Sequence, residues 1–211
     1  MITAVINTLN EEANIAACIA TVRAVADEIV VCDQESVDRT AEIAARLGAR
    51  VVTFPVIRGN FVGAPKKFAI EQATGEYILS IDADERMTAR LARRLREIAE
   101  QNYYDVVHFR KLNNYFGGYP RHSPPFFAPE PLFFRRQVYL RNYSGAEEIH
   151  HQNYVGVRHA QPALTLPKSY YLIHHAYPTI EHYATKTLGW YARAEAEQWY
   201  TSAGLSPGFR W

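Results

Sequence analysis

The chain has 211 residues, 48% of them hydrophobic, with 23 basic and 22 acidic side chains and a formal net charge of +1. That length holds one domain with a sizeable core, or a core with an appendage, and the composition excludes a disordered chain. The near-neutral charge gives no broad attraction to nucleic acid or anionic lipid, and no run of about 18 apolar residues is there to form a transmembrane helix.

MITAVIN (1–7) is a short apolar run with β-branched members and predicts a first strand. Met1 leads straight into it with no basic region ahead, so no secretory signal is expected. At TLNEE (8–12), Asn10 can cap a helix whose first turn holds Glu11 and Glu12, and Ile15, Ile19 and Val22 recur at helical spacing. EIVVCD (28–33) predicts a second buried strand. The two cysteines, Cys18 and Cys32, fall in this helix and this strand at a spacing that fits no metal or redox motif, so a reducing, cytoplasmic setting is expected. QESVDRT (34–40) is a loop in which Ser36 or Asp38 can cap the helix TAEIAARLG (40–48), with Gly48 placed to end it. ARVVTFP (49–55) predicts a third strand. NFVGAPKKFAIEQATG (60–75) predicts a loop and then a helix, with Pro65 in the first turn and Gly75 as its close. EYILSI (76–81) predicts a fourth strand, and TARLARRLREIAEQ (88–101) a helix with basic residues on its exposed side.

Strands alternating with helices, the strands continuously apolar, argue an α/β fold with a mostly parallel sheet covered by helices. Such sheets bind ligands beyond the carboxyl ends of their strands. Three acid-bearing loops follow strand ends here, at 10–12, 33–38 and 82–84. From Tyr103 onward aromatic, His and Pro residues accumulate, which divides the chain into 1–102 and 103–211 within what reads as one continuous domain. DVVHFRKLNNYF (105–116), PLFFRRQVYLRN (131–142) and SYYLIHH (169–175) read as strands. YFGGYPRHSPPFFAPEP (115–131) reads as a long loop, and a helix is expected from Thr179 to about Tyr200.

Asp82 and Asp84 flank the small Ala83 at the end of the fourth strand. In an extended segment residues two apart share a side, and two carboxylates so placed can hold a divalent cation on a diphosphate. The same residues also suit a solvated acidic turn, with Asp84 or Thr88 capping the next helix. The eight histidines form no pair at the spacing of a structural zinc motif with cysteines. Gly-x-Gly-x-x-Gly is absent after the first strand, which sets aside a dinucleotide-dependent oxidoreductase.

The ordered set NTLNEE, VVCDQESVDRT and APKKFAIEQATGEYILSIDADER, spanning about residues 2–100, resembles glycosyltransferase family 2, the nucleotide-sugar enzymes of the GT-A fold. Within the family it is most similar to the lipopolysaccharide-core, β-glucosyltransferase-like branch, which carries Asp-Ala-Asp-Glu followed by Arg. The resemblance implies a metal-dependent inverting transfer from a nucleoside diphosphate sugar, UDP-linked first, to a hydroxyl of a glycan, lipid-linked or other acceptor. Residues 1–102 then bind the donor and 103–211 the acceptor. Thr8 and Glu11, with Asn10 between them, match the first nucleotide-contacting loop. Asp33 matches the acid that binds the base, Asp38 the Asp of the Ser-x-Asp turn, and Lys66 a basic residue near the base and diphosphate. Asp82 matches a contact to ribose, donor sugar and metal, and Asp84 the principal ligand of Mn²⁺ or Mg²⁺. His174 matches a late His that completes the metal shell, with His175 as the adjacent candidate.

The catalytic base implied is Glu148 or Glu147, with Asp105 as a fallback. Lys67 stands where many relatives have Asn, and His151, beside His150, where they have Glu. The long loop reads as an acceptor lid, with Arg121 or Arg136 meeting an acceptor phosphate, or as a surface or homodimer contact. Trp199, Tyr200, Phe209 and Trp211 suit a peripheral contact with the inner membrane or packing on the core. A sugar nucleotidyltransferase is disfavoured because no Gly-rich loop follows the first strand. A degenerate member that only binds nucleotide sugar or serves as a scaffold is the other alternative.

Overall fold

β1 (Ile2–Thr8) is buried along its whole length, as a central parallel strand must be when helices cover both of its faces. In the computed structural model, which describes residues 1–56, 63–119, 128–143, 155–177 and 179–185, β1 pairs in parallel with β2 (Glu28–Asp33) on one side and β4 (Tyr77–Asp82) on the other. β3 (Arg50–Thr53) extends the sheet beyond β2. The connections run through α1 (Ile15–Val22), α2 (Thr40–Arg46) and α3 (Gly63–Gln72). α1 buries Ile15, Cys18, Ile19 and Val22, the spacing of one helix face.

After β4 the chain makes a turn, a short strand β5 (Glu85–Met87) and α4 (Ala89–Gln101). Thr88 caps α4 by accepting from the Leu91 amide, and Asn102, at φ 52°, ends it in the left-handed conformation. β6 (Val106–Tyr115), β7 (Glu130–Arg135), α5 (Arg136–Asn142), α6 (Val155–Arg158), β8 (Ala163–Thr165), β9 (Tyr171–Tyr177) and α7 (Ile180–Ala184) complete the described chain. The nine-stranded sheet runs β3-β2-β1-β4-β7-β6-β9-β5, with β8 also on β6. β7 is antiparallel to β4 and β6, β9 is parallel to β6, and β5 is antiparallel to β9. The carboxyl ends of β1, β2 and β4 and the amino end of β7 therefore open on one side. Among the described residues no helix is long and apolar enough to cross a membrane.

The structure departs from the sequence expectations at several places. α1 starts at Ile15, not behind Asn10, because Asn10 takes a left-handed φ of 55° and turns toward the β2–α2 loop. α3 ends at Gln72, before Gly75. A Cβ on Gly75 would lie 2.5 Å from Thr3 Oγ1 and 2.7 Å from Thr3 N, so the glycine serves a close approach to β1 rather than a helix end. The run 131–142 is not one strand: β7 stops at Arg135 and α5 begins. Arg136 turns back to donate to the carbonyls of Ile70 and Glu71 in the last turn of α3, a favoured place for a cation. That occupies the guanidinium expected to meet an acceptor phosphate. Of the helix expected at 179–200, the part that can be described is α7. The remainder, with Trp199, Tyr200, Phe209 and Trp211, lies outside the described residues, as does Arg121.

Candidate active site

The register of the parallel strands brings the first two acid loops together. Thr8 ends β1 directly beside Asp33 at the end of β2, and Asn7 lies beside Asp82 at the end of β4. Thr8, Asp33 and Gln34 are each at most 5% exposed. Asp33 Oδ2 accepts from the Ser36 amide at 3.0 Å. Its Oδ1, Thr8 Oγ1 and Gln34 Oε1 are buried without a hydrogen-bond partner among the described residues. Unpaired buried oxygens are costly and uncommon, and these three lie at the carboxyl ends of β1 and β2, where α/β sheets bind ligands.

Asn10 and Asp38, in the same two loops, knit the rim of the site together. Asn10 Oδ1 accepts from Val37 N (2.8 Å) and its amide donates to Ser36 Oγ (2.8 Å). Asp38 accepts from the amides of Glu12 (3.0 Å) and Thr40 (2.9 Å) and from the Thr40 hydroxyl, and these bonds outweigh its slight burial to hold its pKa low. Thr40 Oγ1 in turn accepts from Glu11 N at 2.8 Å, and the Glu11 carboxylate accepts from Asn14 Nδ2 at 2.7 Å. These bonds clasp the β1–α1 loop to the β2–α2 loop and fix the rim on which Thr8 and Asp33 stand.

Lys66, on α3, is buried to 3% exposure, and its Nζ lies 3.1 Å from Asp82 Oδ1. Burial pushes the Asp82 pKa up, but the charges of Lys66 and Lys111 outweigh it and leave the group below the usual carboxylate range. Asp84 sits in the turn after β4 rather than in an extended segment, and its Oδ2 lies 3.5 Å from His174 Nε2. The other ring nitrogen of His174 is 2.9 Å from Asn113 Oδ1, which fixes the ring so that Nε2 faces the acid. Burial lowers the His174 pKa, but its bond to Asp84 and the charges of Asp84 and Glu85 more than reverse this. The His175 amide donates to the Asp84 carbonyl at 2.9 Å.

Three further groups hold the turn. Glu85, fully buried, accepts from the Asp82 amide at 2.9 Å and meets Lys111 Nζ at 2.7 Å. Burial pushes the Glu85 pKa up despite Lys111. Lys111 also reaches Glu130, the first residue of β7, at 3.5 Å. Arg86 donates to the carbonyls of Ala83 and Glu85 and to Asn14 Oδ1, all at 2.9 Å, tying the turn to the start of α1. Lys111, Asn113 and Glu130 were not singled out in the sequence. A signal existed: Lys111 and Asn113 continue the buried face that Val107 and Phe109 begin on β6, so polar residues replace apolar ones where the strand enters the cleft.

Other sequence candidates lie apart. Asp105 is at the amino end of β6, paired with Arg135 Nε at 3.0 Å on the side of the sheet away from Asp82, which removes it as a base. Lys67 pairs with Glu71 on the surface of α3. Glu147, Glu148, His150 and His151 lie outside the described residues.

The donor set at the turn, two carboxylates and an imidazole, suits Mn²⁺ or Mg²⁺. Among the described residues no three His, Cys, Asp or Glu side chains stand as a ready metal cage.

The architecture is that of glycosyltransferases of the GT-A fold. It superposes on TarS of Staphylococcus aureus (residues 1–349) with a TM-score of 0.63 at 19% identity, covering 82% of this chain and 60% of that one. It superposes on glucosyl-3-phosphoglycerate synthase of Mycobacterium tuberculosis, solved with Mn²⁺, UDP and glucosyl-3-phosphoglycerate, with a TM-score of 0.59 at 16% identity, covering 99% and 81%. The description of Glycosyl transferase family 2 matches residues 3–158, and the chain belongs to that family. It is 36% identical over 125 residues to an uncharacterized glycosyltransferase of Rickettsia prowazekii, covering 58% of this chain and 41% of that protein. It is 43% identical over 86 residues to a low-salt glycan biosynthesis hexosyltransferase of Haloferax volcanii, covering 38% and 20%. The matches thus span less than half the length of these relatives.

Proposed function

We propose that the protein is a glycosyltransferase that moves a sugar from a nucleoside diphosphate donor, a UDP-sugar first, to a hydroxyl of a glycan or lipid-linked acceptor with inversion at the anomeric carbon. The observation that carries the reading is the set of unpaired buried oxygens of Thr8, Asp33 and Gln34 beside the Lys66–Asp82 pair. An acceptor oxygen at Asp33 suits the ring N–H of a uracil, and Lys66 suits the diphosphate. Asp84, with His174 and Asp82, would hold Mn²⁺ or Mg²⁺. A cation bound there offsets charge developing on the departing nucleoside diphosphate. Glu148, with Glu147 second, is the carboxylate we assign to take the acceptor hydroxyl proton as its oxygen attacks the anomeric carbon. The sequence resemblance to the lipopolysaccharide-core branch supports a cell-surface glycan as acceptor. Structures related in fold were solved with UDP-GlcNAc and with Mn²⁺ and UDP, which supports trying UDP-sugars first.

The test is thermal unfolding with UDP, with and without Mn²⁺, followed by UDP release from a panel of nucleotide sugars. Metal-dependent stabilisation and release with at least one donor are expected. Asp84→Asn should keep its fold and lose turnover by about 10²-fold or more, the scale of losing a transition-state charge partner. No stabilisation by any nucleotide would end the reading, and stabilisation without turnover would leave a binding protein.

A further inference from the structure

We propose that Asn113 is a positioning residue for the divalent cation: its side-chain oxygen holds the His174 ring so that Nε2, and not a ring carbon, is presented beside Asp84. The inference rests on the transferase reading, which puts the cation at the acid turn, and adds the residue that makes the imidazole a ligand.

Strand pairing sets the row. β9 lies between β6 and β5, with His174 opposite Asn113 on one side and opposite Glu85 on the other. The ring therefore stands between a neutral amide and the acid turn. Asn113 is 2% exposed and continues the buried face of β6 that holds Val107, Phe109 and Lys111. A buried amide is costly unless it is bonded, and here the bond is to the ring: His174 Nδ1 donates to Asn113 Oδ1 at 2.9 Å. The β6–β9 register is regular up to this pair and shifts just beyond it, between Asn113 and Tyr115. The amide thus occupies the last regular rung before the cleft.

Rotamer preference does not orient an imidazole. The χ2 torsion of histidine is broad, and a half-turn about it puts carbon where each nitrogen stood. The Asn113 bond selects one of the two orientations, and in it Nε2 lies 3.5 Å from Asp84 Oδ2. The bond also fixes the tautomer that can take a cation: Nδ1 donates, so the Nε2 lone pair is the one left for a ligand bond. Two ligands about 2.1 Å from one octahedral cation stand about 3 Å apart, close to the spacing of Nε2 and Oδ2, so this pair fits such an ion with little movement. A neutral acceptor suits the position, because Asp82, Asp84 and Glu85 already crowd carboxylates into the turn.

The test is Mn²⁺ binding in the presence of UDP, followed by electron spin resonance, with spin-echo modulation reporting whether a nitrogen is bound to the ion. The proteins are the wild type, Asn113→Leu, Asn113→Ala, Asn113→Asp, His174→Ala and the double variant Asn113→Ala/His174→Ala. Thermal unfolding and UDP affinity without metal check the fold of each. Nitrogen modulation is expected in the wild type. Asn113→Leu and the smaller change Asn113→Ala should lose it and bind Mn²⁺ about tenfold more weakly, the scale of losing a group that orients a ligating histidine. Asn113→Asp, which keeps an acceptor in the same place, should retain the modulation. Once His174 is removed, Asn113→Ala should weaken Mn²⁺ binding no further, because it acts through the ring. Undiminished nitrogen modulation in Asn113→Leu and Asn113→Ala overturns the proposal, as does an Asn113→Ala effect that persists in the His174→Ala background. Binding of Mn²⁺ and UDP without a nitrogen signal in the wild type removes His174 as a ligand and the proposal with it, while the donor reading stands. A wild type that binds UDP but no Mn²⁺ overturns the metal assignment and the proposal together.

Discussion

Lys111 is the cation on which the acid turn leans. Its ammonium lies between Glu85 at 2.7 Å and Glu130 at 3.5 Å, with its side chain 11% exposed and that of Glu85 fully buried. Removing one member of a buried ion pair leaves the other uncompensated, and such changes cost about 3–5 kcal/mol. Lys111→Met is therefore expected to destabilise the protein by about 3 kcal/mol, toward the low end of that range, because Glu85 can take up a proton. Burial already raises the Glu85 pKa. Adding Glu85→Gln to Lys111→Met should recover most of the loss, and urea unfolding of the two single variants and the double variant measures the coupling. Additive single effects would show that the pair does not hold the turn. Asp82 and Asp84 stood out in the sequence because they are two residues apart at a strand end. Lys111 did not, because only the pairing of β5 with β9 and β9 with β6 brings it to Glu85.

Gly75 shows what an element-scale pattern can and cannot convey. Its position before β4 was legible, but its purpose was not. Its amide donates to Thr3 Oγ1 at 2.9 Å, and the backbone of β1 passes so close that a methyl group would stand 2.7 Å from Thr3 N. Gly75→Ala is expected to cost about 2–3 kcal/mol, the scale of overpacking against a backbone that cannot move aside; a melting temperature within a degree of the wild type would contradict this. β1, β2 and β4 were legible because buried parallel strands carry continuous apolar runs, and β3, at the sheet edge, from Val51, Val52 and Thr53. α4 was legible from its periodic Leu91, Leu95 and Ile98. β5 was not, since a three-residue strand has no period to detect and exists through its pairing with β9. The switch from β7 to α5 was hidden because Val138, Tyr139 and Leu140 continue the β-branched and aromatic signal of Leu132, Phe133 and Phe134. It is set by tertiary contacts, the Arg136 bonds to α3 and the Phe134–Tyr139 stack at 5.3 Å.

At the scale of the molecule the two ends of the sheet are built for different ends. The carboxyl end carries unpaired oxygens and buried lysines, whereas the amino end is laced with satisfied ion pairs, Arg96–Asp27, Arg50–Glu28 and Arg135–Asp105 among them. The three acid loops after strand ends located the first in the sequence, but nothing local distinguished Glu28 from any surface acid. Glu28 joins three strands and a loop: it accepts from Thr3 Oγ1 of β1 (2.6 Å), from Thr74 N and Oγ1 ahead of β4 (2.8 and 2.9 Å), and from Arg50 of β3 (2.9 Å). Burial alone would raise its pKa. The bonds from Thr3, Thr74 and Arg50 prevail and bring it from 4.5 down to about 2. A folded-state pKa below the unfolded one means that the stabilisation is complete above the unfolded value and disappears as pH falls through the folded one. Glu28→Gln should therefore lower stability by about 3 kcal/mol near neutral pH, because each tenfold change in acidity on folding is worth about 1.4 kcal/mol. The gap between variant and wild type should narrow below pH 4.5 and close near pH 2, the range set by the two pKa values. Urea unfolding at a series of pH values reads this directly. Two curves that stay parallel through the acid range would show that the Glu28 charge does not bind the strands together, and that the neutral hydrogen bonds do.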